Sequence, residues 1–142
     1  MKIFRSKKFW IKKRNVIQPI KTEKGYLENR SIFYDKLEDD LRSTKFTGEI
    51  FLNKEFIPYV LVFNRVLSMF SCELDTYFNL NPYHGASSFM IIENSTWLKK
   101  LPVREDFNKN EYTHYRLYTY DDVFDIIAVS FITDAIKETI TE

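Results

Sequence analysis

His114, Arg116 and Tyr118 alternate along one short segment, and Asp125 follows beyond Tyr120-Asp121. If Tyr120-Asp121 is a two-residue hairpin turn, Arg116 lies opposite Asp125 and Tyr118 opposite Val123. His114, Arg116, Tyr118, Tyr112 and Asp125 then share one face of the sheet. An imidazole base, a phosphate-binding cation and a phenol suit metal-independent phosphodiester or group-transfer chemistry. Alternation along a tyrosine-rich strand produces the same row without catalysis, which favours recognition over catalysis.

Other chemistries are poorly supplied. Gly25, Gly48 and Gly85 are the only glycines and fit neither GxGxxG nor GxxxxGK[ST]. His84 and His114 are the only imidazoles, so HExxH and Cys/His zinc patterns are absent. His84, in Pro-Tyr-His-Gly, reads as a turn residue. The lone Cys72 sits in an apolar run with Val66, Leu67, Met69 and Phe70, where a free thiol packs as a small hydrophobe. No GxSxG is present, and no spacing pairs a serine with either histidine. The doublets Asp39-Asp40, Glu105-Asp106 and Asp121-Asp122 diverge on any regular element and read as solvated turns or faces. No cofactor, metal or enzymatic activity is expected.

The elements that must position these residues are legible in part. Asn15–Ile20 reads as a first strand and Lys21–Gly25 as a turn. Asn29–Arg42 has the pattern of a capped amphipathic helix. Phe33, Leu37 and Leu41 form its stripe, and Asp35, Glu38, Asp39 and Arg42 lie opposite. Phe46–Leu52 and Phe56–Phe63 read as strands around Asn53–Glu55, with Pro58 at an edge because it lacks an N–H. Arg65–Leu74 fits strand or helix. Ser88–Glu93 reads as a central strand. Asn94 or Ser95 caps a short helix, Thr96–Leu101, which Pro102 stops. Tyr112–Phe131 carries the clearest β signal, and Thr133–Ile140 suggests a short helix. The expected fold is α+β, a mostly antiparallel sheet with helices packed on one face.

One domain, 1–142, suits a chain of 142 residues with neither linker nor repeat. Its net charge of +1 conceals an asymmetry. Residues 1–25 hold nine basic groups and one acid, +8; residues 26–142 hold 12 basic and 19 acidic groups, −7. The basic segment suits nucleic acid, an acidic surface or the chain's own acidic body. A single cysteine fits a reducing compartment, and neither a signal-peptide core nor a membrane span is present. A cytoplasmic location is expected. Nine tyrosines favour recognition, because tyrosine often anchors interfaces.

Two segments carry a resemblance. One is Ile92-Glu93-Asn94-Ser95-Thr96-Trp97-Leu98, a strand entering a capped helix. The other is His114-Tyr115-Arg116-Leu117-Tyr118-Thr119-Tyr120-Asp121-Asp122 followed by Val123-Phe124-Asp125-Ile126-Ile127-Ala128, a hairpin with an acidic turn. They resemble small bacterial immunity proteins of contact-dependent growth inhibition and other polymorphic toxin systems. The resemblance implies a non-enzymatic protein that binds its cognate toxin and blocks it. The residues expected to meet that partner are Asp35, Glu38, Asp39, Tyr112, His114, Arg116, Tyr118, Asp121 and Asp122. The other readings are a nucleic-acid-binding protein using residues 1–25, and a metal-independent enzyme using His114, Arg116 and Tyr118.

Overall fold

The computed structural model describes residues 16–22, 25–27, 31–40, 42–74 and 88–133. Most of the basic N-terminal segment, His84 and the C-terminal stretch after Thr133 lie outside these residues. The strands are β1 (Val16–Pro19), β2 (Lys21–Thr22), β3 (Gly25–Tyr26), β4 (Ile32–Asp40), β5 (Ser43–Leu52), β6 (Glu55–Glu73), β7 (Phe89–Glu93), β8 (Thr113–Tyr118) and β9 (Asp122–Thr133). Seven of them form one sheet in the order β1-β7-β8-β9-β6-β5-β4, every neighbouring pair antiparallel. β2 and β3 form a separate two-stranded ladder around the expected turn.

The expectation of helices packed on one face is overturned. Among the described residues the one α-helix is α1 (Thr96–Lys100), five residues long, capped by Ser95 as expected. The segment expected as the main helix is β4. Its apolar contacts with the core come from Ile32, Tyr34 and Leu37, a two-residue period with one residue inserted at a β-bulge between Tyr34 and Lys36. That inserted residue stretches the spacing toward the three-to-four-residue period of a helix. Pairing with β5 then overrides the local helix propensity.

The hairpins follow local chemistry. Asn53 and Lys54 both take left-handed φ, 50° and 66°, as a type I′ turn requires between β5 and β6. β6 is the spine of the sheet. Its first half, Glu55–Asn64, pairs with β5, while Leu61–Glu73 pairs with β9 on the opposite edge. Among the described pairings Pro58 faces only β5, so the missing N–H falls where the other edge is open. Arg65, with φ 54°, and a bulge between Val66 and Ser68 bend the strand where it changes partners.

The sheet curls. In a flat sheet β4 and β9 would lie about 14 Å apart, three strand spacings. Instead the rings of Tyr34 and Phe124 meet at 5.3 Å, and the Tyr34 hydroxyl donates to Asp122 Oδ2 at 2.8 Å. The Tyr120 amide likewise donates to the Ile32 carbonyl at 2.8 Å. The concave face encloses Phe46, Phe63, Phe89, Tyr115, Leu117, Phe124 and Ile126. Gly48 permits the approach of β4, because a Cβ there would meet the Phe33 carbonyl oxygen and stand 2.6 Å from Tyr34 Cα. Gly48→Ala is expected to lose about 1–3 kcal/mol of stability through overpacking against backbone, read by urea unfolding.

Candidate functional site

The hairpin register is the one expected: Arg116 pairs with Asp125 and Tyr118 with Val123. His114, Arg116, Tyr118 and Asp125 do share one face, but all four are buried. His114 Nε2 lies 2.7 Å from Asp125 Oδ1, and Arg116 Nε donates to the same oxygen at 2.9 Å. His114 Nδ1 lies 2.7 Å from Ser95 Oγ. A carboxylate can only accept, so Nε2 carries the hydrogen toward Asp125. In the neutral ring, Nδ1 then accepts from the Ser95 hydroxyl. Ser95 Oγ in turn accepts the Leu98 amide hydrogen at 3.0 Å, which caps α1. The Trp97 ring meets His114 edge-on at 5.2 Å. The two segments that carry the family resemblance therefore meet in space at one polar cluster. Beside it a groove of about 410 Å³ is lined in part by Ser95, His114, Leu98 and Tyr112.

This cluster has the residue types of a nucleophilic triad, with the serine found by tertiary structure alone. Nineteen residues separate Ser95 from His114. The geometry also has a structural effect: it ties α1 to the sheet and satisfies charges that would otherwise be costly to bury.

The other expected partner-binding residues are scattered. Tyr118 is fully buried and packs with Met90, Ile92, Val123 and Cys72, and burial raises its hydroxyl pKa. Tyr112 is buried and stacks on Phe107 at 5.8 Å. Asp35, Glu38 and Asp39 are exposed, but no helix gathers them on a common face. Asp35 lies in the bulge, Glu38 pairs across from Lys45, and Asp39 accepts a hydrogen bond from Thr44 at 2.7 Å. Asp121 is exposed in the β8–β9 turn, and the half-buried Asp122 holds Tyr34.

A second feature was not foreseen. Phe51 and Phe56, paired across the β5–β6 turn, are 42% and 55% exposed with rings 4.9 Å apart. Phe56 meets Phe33 at 5.7 Å, and Phe33 stacks on the 43% exposed Tyr120 at 4.9 Å. Three hairpin strands and the β8–β9 turn thus build one surface group of four rings. The adjacent exposed residues Glu55 and Asp121 are acidic, with Lys54 the neighbouring cation. The paired Phe51 and Phe56 around Asn53-Lys54 are the local signal from which this group could have been read.

Tyr34 ties this end of the sheet together. Burial, then the hydrogen bond to Asp122 and the nearby charges of Asp122 and Asp121, push its hydroxyl up to about 12. A raised acid pKa favours the folded state fully below pH 10 and loses that contribution as pH climbs toward 12. Stability is therefore expected to fall across that window. Tyr34→Phe should make the decline shallower in denaturation curves taken at successive pH values.

Among the described residues no group of three or more His, Cys, Asp and Glu side chains could hold a metal, and no helix is long and apolar enough to cross a membrane. No family model matches the chain, and no curated protein or solved structure is significantly similar to it.

Proposed function

We propose that this chain is a non-enzymatic immunity protein that binds and neutralises a cognate toxin domain in the bacterial cytoplasm. The aromatic group of exposed Phe51, Phe56 and Tyr120 with half-buried Phe33, bordered by Glu55, Asp121 and Lys54, carries the reading. Aromatic side chains supply large contact area and are frequent interface anchors. Bordering carboxylates steer a basic partner and raise its association rate. The occupant is thus a basic protein surface. Co-expression with the product of the adjacent gene tests this. A stable complex that suppresses toxicity is expected, weakened at least tenfold by Phe56→Ser with the fold intact. A toxic neighbour that forms no complex refutes the reading.

The line Ser95–His114–Asp125 favours a second reading, a small metal-independent hydrolase with Ser95 as nucleophile. Fluorophosphonate labelling of Ser95, lost in His114→Gln, would support it. An unlabelled wild-type protein would leave the cluster a structural tie.

A further inference from the structure

The β7–β8 ladder stops at Ile91 and Tyr115, although β7 runs on to Glu93 and β8 begins at Thr113. Asn94, with φ 55°, then turns the chain away into α1. The groove of about 410 Å³ opens where the strands part. A second groove, of about 450 Å³, shares Asn94, Ser95, Leu98 and Tyr112 with it, so the two are continuous. Each falls within the size range of small-ligand sites, about 300–1,000 Å³. The shared floor is apolar and firm. Leu98 is half-buried, and the buried Tyr112 ring is stacked on Phe107 at 5.8 Å. Ile91 and Ile92 continue that floor between the strands.

The two ends differ in charge. Lys99 and Lys109 line only the larger groove, and the one acidic lining residue, Glu93, lines only the other. Nearby Arg65 and Arg104 are spent on Glu111 and Asp106. Among the described residues neither Lys99 nor Lys109 has a carboxylate within ion-pair distance. This stands out in a body where acids outnumber bases 19 to 12. The Lys109 ammonium is also held in place, because it donates to the Lys99 carbonyl at 2.9 Å. It keeps two further donors, and a cation already positioned loses little freedom on binding. We propose that these grooves bind a small organic anion. Its carboxylate or phosphate monoester head pairs with Lys99 and Lys109, and its apolar ring or chain lies along Leu98, Tyr112 and Ile92. Asn94 and Asn110 border the head with amide donors. Glu93 repels an anion at the opposite end and so sets the ligand's direction. The inference needs no reaction at Ser95 and uses none of the residues of the toxin-binding reading.

Calorimetry and amide chemical shifts on the full chain test it, with naphthalene-2-carboxylate and 2-naphthyl phosphate as probes. At least one should bind with a Kd of about 1 mM or tighter, and the tighter of the two identifies the head group. Naphthalene-2-methanol, which lacks the charge, and acetate, which lacks the ring, should each bind at least about tenfold more weakly. Lys99→Met and Lys109→Met should each weaken the anion about fivefold and leave the alcohol unchanged. Lys109→Met also removes a tie to α1, whereas Lys99→Met keeps the carbonyl that accepts it, so Lys99→Met is the decisive variant. Shifts are expected at Asn94, Leu98 and Asn110, and added salt should raise the Kd. The proposal is overturned if neither anion binds or if the alcohol binds equally well. It is also overturned by an unchanged affinity in Lys99→Met, or by shifts confined to the Phe51–Phe56 ring group.

Discussion

Asp125→Ala is expected to cost about 3–5 kcal/mol of folding stability, the range for removing one partner of a buried charge pair. The Asp125 side chain is 8% exposed and receives both His114 and Arg116 on a single oxygen. Its removal leaves the Arg116 guanidinium in a buried site without its carboxylate and the His114 Nε2 hydrogen without its acceptor. With natural stabilities of about 5–15 kcal/mol, such a loss takes the domain close to its folding threshold. Ser95→Ala removes only the helix cap and one neutral hydrogen bond, so about 1–2 kcal/mol is expected. Replacing the pair together, Arg116→Met with Asp125→Leu, should recover much of the stability lost in Asp125→Ala, because no uncompensated charge remains. Urea unfolding of the four proteins checks the order. A loss below about 1 kcal/mol in Asp125→Ala would show that the cluster does not anchor the sheet.

Phe63→Ala is expected to destabilise by a similar amount, about 3–5 kcal/mol, for a different reason. Phe63 is fully buried on the concave face where β6 changes partners. Its ring contacts Phe46, Phe89, Tyr115 and Phe131 at 6.0, 5.9, 5.4 and 6.3 Å, joining both halves of the sheet. Alanine leaves a cavity that neighbours on four different strands cannot close together. Phe56→Ala, seven residues earlier on the same strand, removes an equal ring from the surface, and its effect should stay near 0.5 kcal/mol. Thermal melts of the two variants therefore separate core aromatics from those available to a partner.

The β5–β6 and β8–β9 hairpins, the Ser95 cap and the Arg116–Asp125 register were legible because each depends on a few neighbouring residues. Local alternation, turn chemistry and capping suffice for them. Ile32–Asp40 was not legible, because the bulge after Tyr34 disguised its strand period and the decisive partner, β5, is non-local. Ser95 beside His114 was missed for the same reason. They come together only when β7 and β8 pair and α1 folds back on the sheet.

What the sequence by itself determined is the β5–β6 and β8–β9 hairpins, the capped turn of helix and the contrast between a basic N-terminal segment and an acidic body. Tertiary structure decided which polar groups are inside and which aromatics are outside. Strand alternation assigns residues to two faces without saying which face is covered. Only the curl that brings Tyr34 to Phe124 decides that Phe63 is core and Phe56 surface, and only the pairing of β7 with β8 places His114 between Ser95 and Asp125.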